Sequence, residues 1–162
     1  MNDQRAQYLV ERYADHILRI GYTWLKDLDD AKDICQMVLI KLLKDDRTFP
    51  DTGQERAWVV RVTINECKNW KRSAWFRRRA SLEEAAGLST EPPEVEENTL
   101  LEQVNRLPLK YRQVIYLRYY EEYEIHEIAD LLGQPPALVS THLARAKAKL
   151  RSQLGGNCSE QF

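Results

Sequence analysis

Two sets of side chains in this sequence have the chemistry to hold a polyanion. In the first, Asn65, Lys68, Asn69, Lys71 and Arg72 recur at spacings near three and four, with Trp70, Trp75 and Phe76 interleaved. Cations track a phosphate backbone and aromatic rings stack on exposed bases, so this pattern fits single-stranded or opened nucleic acid. In the second, Ser140, Thr141, Ala144, Arg145, Lys147 and Lys149 lie on the polar side of one helical stripe. Small residues let a helix backbone approach a duplex, hydroxyls and an arginine reach base edges, and lysines meet phosphates. Nothing comparable points to covalent chemistry: there is no nucleophile beside a base, no phosphate-cradling glycine loop and no metal-ligand spacing. Cys35 and Cys67 fall on apolar helix faces and read as buried free thiols, and Cys158 as an exposed one. His16 and His126 stand alone, and only His142 lies where it could touch DNA. The sequence predicts a binding protein without metal or cofactor, not an enzyme.

The charges are arranged to match. The net charge of -1 conceals a segregation. From Cys67 to Leu82 there are six basic residues and no acidic one, and from Glu83 to Gln103 seven acidic residues and no basic one. Arg145, Lys147, Lys149 and Arg151 then restore a positive end. Two positive patches separated by a negative strap fit one polyanion touched at two places. No apolar run approaches the roughly 18 residues of a membrane-spanning helix, and the polar N-terminus does not resemble a secretory signal, so a cytoplasmic protein is expected.

The elements that must position these residues are helices. Leu9, Tyr13, Ile17, Ile20 and Trp24 form one stripe; Ala31, Ile34, Cys35, Val38 and Leu42 form a second; Trp58, Val59, Val62, Ile64, Cys67 and Trp70 give a third segment a broad apolar surface. Trp58 is expected in the core; Trp70 fits either the core or the basic face. Sustained alternation is absent, so the fold class is all-α. Thr52-Gly-Gln-Glu55 and Thr99-Leu-Leu-Glu102 read as capping boxes, and Arg47 to Gly53 as a loop. Ser81 to Asn98, with Gly87, Pro92 and Pro93 in acidic sequence, reads as a linker in which Ser81 can cap a short helix. The expected domains are residues 1–80 and 99–153, joined by the linker 81–98 and followed by a disordered tail, 154–162.

Near the C-terminus the pattern sharpens. Ile125, Ile128, Ala129 and Leu132 share a short helix, Gly133 fits the left-handed position that ends it, and Pro136 can open the next. That next helix packs through Val139, Leu143, Ala146 and Leu150. Together they read as a helix-turn-helix whose second helix can enter a major groove.

These segments, in this order, resemble the extracytoplasmic-function (group four) sigma factors of bacterial RNA polymerase. Asp30-Ala31-Lys32-Asp33-Ile34-Cys35-Gln36 is similar to the family's second helix. Arg56-Ala57-Trp58, Arg61 and Asn65, followed by Lys68 to Arg72, are similar to its third. Leu107-Pro108, Glu127-Ile128-Ala129-Asp130-Leu131-Leu132-Gly133 and Leu143 to Leu150 are similar to its C-terminal domain. The resemblance implies two small helical domains that direct core polymerase to promoters. It implies that Asp33, Gln36, Leu39 and Lys41 contact the polymerase core. It further implies that Arg61, Asn65, Lys68, Asn69, Lys71 and Arg72 recognise and open the minus-ten element, with the Arg47–Gly53 loop holding an everted base. Ala137, Ser140, Thr141, Arg145, Lys147 and Lys149 would then read the minus-thirty-five duplex. Promoter DNA, RNA polymerase core and an anti-sigma factor are the implied partners of a chain that is otherwise monomeric.

The sequence departs from the family at the turn Gln134-Pro135-Pro136-Ala137-Leu138, where glycine and threonine usually replace Ala137 and Leu138. It also departs at Ser140, often lysine, and at Asn69, often aspartate. Two other readings stay open at this point. A duplex-binding regulator independent of polymerase would explain the helix-turn-helix but not the Asp30–Gln36 or Asn65–Arg72 segments. A protein-interaction module would use the same basic faces on an acidic partner.

Overall fold

A computed structural model describes residues 3–80 and 100–153, with the side chains of 74–80 and of 101 left aside. The acidic linker, the helix expected after Ser81, the Thr99 cap, Cys158 and the tail lie outside the described residues. The described residues contain helices and no strand. Contacts group the chain into two compact units, Met1–Pro92 and Pro93–Phe162.

The first unit contains α1 (Asp3–Leu25), α2 (Leu28–Lys44) and α3 (Thr52–Ala80). The stripes read from the sequence form most of its core: Leu9, Tyr13, Ile17, Ile20 and Trp24 from α1 meet Ala31, Ile34, Val38 and Leu42 from α2, and Val59, Ile64 and Cys67 from α3; Val60, outside the expected stripe, is buried with them, whereas Val62 is only partly buried. Cys67 is fully buried, and burial pushes its thiol up to about 12. Cys35 is only half-buried, its thiol facing the Ala14 carbonyl at 3.6 Å. Between α1 and α2 the chain turns through Lys26, at a φ of 58°, and Asp27 caps α2 by accepting from the Asp30 N–H at 3.0 Å.

The start of α3 differs from the expected capping box. Asp51, one residue before Thr52, is the cap: its Oδ1 accepts from the Gln54 N–H at 2.8 Å, and its carbonyl from the Glu55 N–H. Glu55 is thereby released from the helix end and accepts instead from the hydroxyls of Tyr13 and, at 2.7 Å, Tyr8. The Arg12 guanidinium lies 5.9 Å from both ring centroids. Burial and then the Glu55 hydrogen bond raise the Tyr13 pKa, so the phenol remains a donor and the link between α1 and α3 holds across the neutral range.

The second unit contains α4 (Leu100–Arg106), α5 (Leu109–Ile115), a π-helical turn (Tyr116–Tyr120) continuing α5, α6 (Ile125–Leu132) and α7 (Pro136–Gln153). α6 and α7 form the expected pair. Glu124 and Glu127 make a reciprocal capping box at the start of α6. At its end Gly133, at a φ of 65°, allows the paired closing bonds Gln134 N–H to Ala129 O and Gly133 N–H to Asp130 O. Val139, Leu143, Ala146 and Leu150 are buried as their spacing requires. Two buried polar links brace the unit: Arg112 Nη1 donates to the Leu107 carbonyl at 2.7 Å, and the Tyr116 hydroxyl to Glu121 at 2.7 Å.

Glu122, in the turn before α6, has a φ of 63° with an exposed side chain. A left-handed L-residue costs roughly 1–2 kcal/mol, and glycine returns roughly 0.5–1 of that as chain entropy. Glu122→Gly should therefore stabilise this unit by about 0.5 kcal/mol, raising its thermal midpoint by roughly 2–4 °C in a melting experiment.

Candidate nucleic-acid interface

On α3 the three-four spacing brings Arg61, Asn65, Lys68, Asn69 and Arg72 onto one exposed face. Lys71 turns to the flank, where its charge reaches the buried Cys67 thiol. Beside Asn65 and Asn69 lies an open hollow of about 310 Å3, bounded also by Lys41, Asp45, Arg47, Trp58, Val62 and Glu66. Of the loop before α3, Asp45 and Arg47 form one wall. Phe49 packs on Trp58 with ring centroids 5.3 Å apart, and the Arg47 guanidinium stands 5.1 Å from the Trp58 centroid. Trp58 is thus half-buried at the edge of the hollow instead of sealed in the core, because the loop supplies only a partial cover. Trp70 is half-buried too. Two carboxamides, an aromatic wall and flanking cations can hold a planar, hydrogen-bonding group and the phosphates beside it.

The four α2 residues do not share one surface. Asp33 and Gln36 are exposed on the side of α2 away from the core, and they are joined there by Met37 and Ile40, 39% and 51% exposed. Those two apolar residues were missed because they break no rule of an amphipathic helix; only their lying outside the Ala31–Leu42 stripe marks them. Leu39 lies half-buried on one flank. Lys41 lies on the other, against α3, where its ammonium donates to the buried Glu66 carboxylate at the rim of the hollow.

In the second unit the outermost strip of α7 is Ala137, Thr141, Ala144 and Ala148, all exposed. The Thr141 hydroxyl donates back to the Ala137 carbonyl at 3.0 Å, so outward it offers lone pairs and a methyl group. Ser140 and Arg145 flank the strip, both exposed. Lys147 and Lys149, two residues apart, point to opposite sides of the helix, about 200° around it. Each ammonium rests on a tyrosine: Lys147 at 5.5 Å from the Tyr119 centroid, Lys149 at 5.5 Å from the Tyr111 centroid. His142 meets Tyr111 edge-on, and burial, followed by the charges of Lys110 and Arg145, lowers its pKa. The face of α7 is therefore narrow, small and flanked on both sides by positive charge, the shape of a helix that enters a major groove.

Residues 9–77 match the family described as Sigma-70 region 2, and residues 97–150 that described as Sigma-70, region 4. The chain is 30% identical over 154 residues to the RNA polymerase sigma-E factor of Streptomyces antibioticus, covering 90% of this chain and 82% of that one. The chain belongs to the extracytoplasmic-function sigma factors. This sigma factor is also 29% identical over 150 residues to RNA polymerase sigma factor SigV of Bacillus subtilis, with 90% of each chain covered. Its fold is shared with the sigma factor RpoE solved in complex with the anti-sigma factor NepR from Bartonella quintana. That match has a TM-score of 0.73, 17% identity, and covers 96% of this chain and 99% of that one. As a sigma factor it directs core RNA polymerase to specific promoters and initiates transcription there. No described helix of the sigma factor is long and apolar enough to cross a membrane.

Proposed function

We propose a division of labour between the two units. In the first (residues 1–80), Asp33, Gln36, Met37 and Ile40 bind the polymerase core, and Leu39 borders that contact. The α3 face (Arg61, Asn65, Lys68, Asn69, Arg72) takes the non-template strand of the minus-ten element, with Lys71 on its flank, and the hollow beside Trp58 holds an everted base. Lys41 is assigned to the rim of that hollow, since its partner is Glu66. In the second unit (99–153), Ala137, Ser140, Thr141 and Arg145 read the minus-thirty-five duplex while Lys147 and Lys149 meet phosphates. The acidic segment 81–98 tethers the units, so binding of one places the other at high effective concentration.

The observation that carries this reading is the hollow itself, where two asparagine amides, a half-buried tryptophan and an arginine converge beside a basic helix face. Unpairing and everting a base costs a few kcal/mol. Stacking contributes roughly 1–3 kcal/mol per base, so pocket and phosphate contacts can balance that cost without ATP. The protein acts as a cytoplasmic initiation factor and catalyses no reaction itself; RNA synthesis belongs to the core. The RpoE–NepR complex supports an anti-sigma partner for this chain too.

Run-off transcription with purified core polymerase on a promoter library tests the assignment. The wild-type chain should select a subset of promoters. Asn65→Ala/Asn69→Ala should lose permanganate-reactive, opened DNA at those promoters while upstream duplex protection persists. Opening at wild-type levels by the double variant would remove the α3 face and its hollow from the mechanism.

A further inference from the structure

Lys110 and Lys149 come from different helices, α5 and α7, yet both ammonium groups stand over the ring of Tyr111, 5.1 and 5.5 Å from its centroid. The ring is a fixed platform, for Tyr111 is only 7% exposed. Arg145 lies one helical turn before Lys149 on the same side of α7. None of these three cations forms an ion pair with a described residue. The opposite flank of α7 differs. There Lys147 over Tyr119 is backed by Arg118, but that guanidinium already donates to the Tyr123 carbonyl at 3.3 Å and lies 3.9 Å from the Glu124 carboxylate. So three cations without a described ion pair gather on this flank, against Lys147 alone on the other.

Each ammonium gains a cation–π contact on the ring, and their mutual repulsion opposes it. An anion seated between them turns that repulsion into attraction and leaves the ring contacts in place. Burial first, and then the charges of Lys110 and Arg145, lower the His142 pKa, so both cations face that side of α7. We infer that Lys110, which lies outside the helix-turn-helix, closes with Lys149 on one duplex phosphate as a two-helix clamp at the edge of the groove that α7 enters. The clamp rests on the region-four reading above. Tyr111 is its positioning residue and carries no sequence information; what the clamp fixes is the register of α7 on the backbone.

The test is a potassium chloride titration of holoenzyme, assembled from the full chain and core polymerase, on promoter fragments with different upstream sequences. Lys110→Gln should lower the slope of log affinity against log salt by about 0.9 and weaken binding several-fold on every fragment. Lys110→Arg should restore both. Arg106→Gln, whose guanidinium is held by Glu102 at 2.6 Å, should leave the slope unchanged. An unchanged slope for Lys110→Gln, with upstream duplex still protected from nuclease, overturns the clamp and spares the region-four reading. A loss confined to one upstream sequence makes Lys110 a base contact and also overturns it. If wild-type holoenzyme protects no upstream duplex, the region-four reading fails and the clamp fails with it.

Discussion

Asp33→Arg is expected to weaken binding to core RNA polymerase by at least about a hundredfold, close to 3 kcal/mol, while the thermal midpoint of the chain moves by no more than about 4 °C. The two halves of that expectation come from different observations. Asp33 is exposed and beyond the first turn of α2, and it makes no hydrogen bond or ion pair with a described residue, so its replacement costs the fold no more than about 0.5 kcal/mol. On the partner side, the same residue sits beside Met37 and Ile40, the most exposed apolar pair on α2. An exposed apolar centre with charge at its border is the anatomy of a contact surface, and a reversed charge there meets its former partner as a repulsion. Ile40→Asp should act through the other term, by desolvating a carboxylate in the apolar centre, and should be comparably severe. Titrating labelled protein with purified core reads both. Unaltered affinity for the two variants would move the contact off this face of α2.

The core was legible in the sequence because burial and helical period impose the same pattern. Every apolar stripe residue from Leu9 to Trp24 is buried, as are Ala31, Ile34, Val38 and Leu42. The helix-turn-helix was legible for a second reason: Gly133 suits the left-handed φ that ends α6, and Pro136 suits the first position of α7, where no N–H is needed. What escaped the sequence depends on residues far apart in it. Thr52-Gly-Gln-Glu55 satisfies the capping-box rule, yet Asp51 takes the cap and two tyrosines more than forty positions away take Glu55. Local pattern cannot weigh a tertiary acceptor against a local one. Trp58 escaped likewise, since a tryptophan at core spacing looks the same whether a helix or a thin loop covers it. The Lys110–Tyr111–Lys149 corner had no signal at all, being made by the crossing of α5 and α7. The placement of Lys41 turned on Glu66, which no spacing on α2 could reveal. Motif order thus pointed to the candidate surfaces, whereas the partners of individual charges needed the packing.

The most damaging single change within the first unit should be Gly21→Leu. Gly21 lies on the buried side of α1, and a Cβ placed there would stand 3.2 Å from both Cα and Cβ of Ala31. Ala31 is itself fully buried near the start of α2, so α1 and α2 touch backbone to backbone where neither can yield without moving its helix. Gly21→Ala sets a gain of about 1 kcal/mol in helix propensity against a contact too tight by a few tenths of an ångström, and should be near neutral or mildly destabilising. Leucine adds three more carbons in the same direction. Overpacking of this kind costs roughly 1–3 kcal/mol where side chains can adjust and more where backbone must, so a loss of at least about 3 kcal/mol is expected. Trp24, only 1% exposed, reports the transition by fluorescence as the first unit unfolds. Moving the methyl group to the other side of the contact separates close packing from propensity: Gly21→Ala/Ala31→Gly should fit as wild type does, and Gly21→Leu/Ala31→Gly should recover part of the loss. A stable Gly21→Leu with wild-type affinity for core polymerase would show that this contact is not what sets the angle of α2. Should it unfold as expected, core binding and minus-ten opening should disappear together, because the proposed core contact lies on α2 and the proposed minus-ten face on α3, which packs against it.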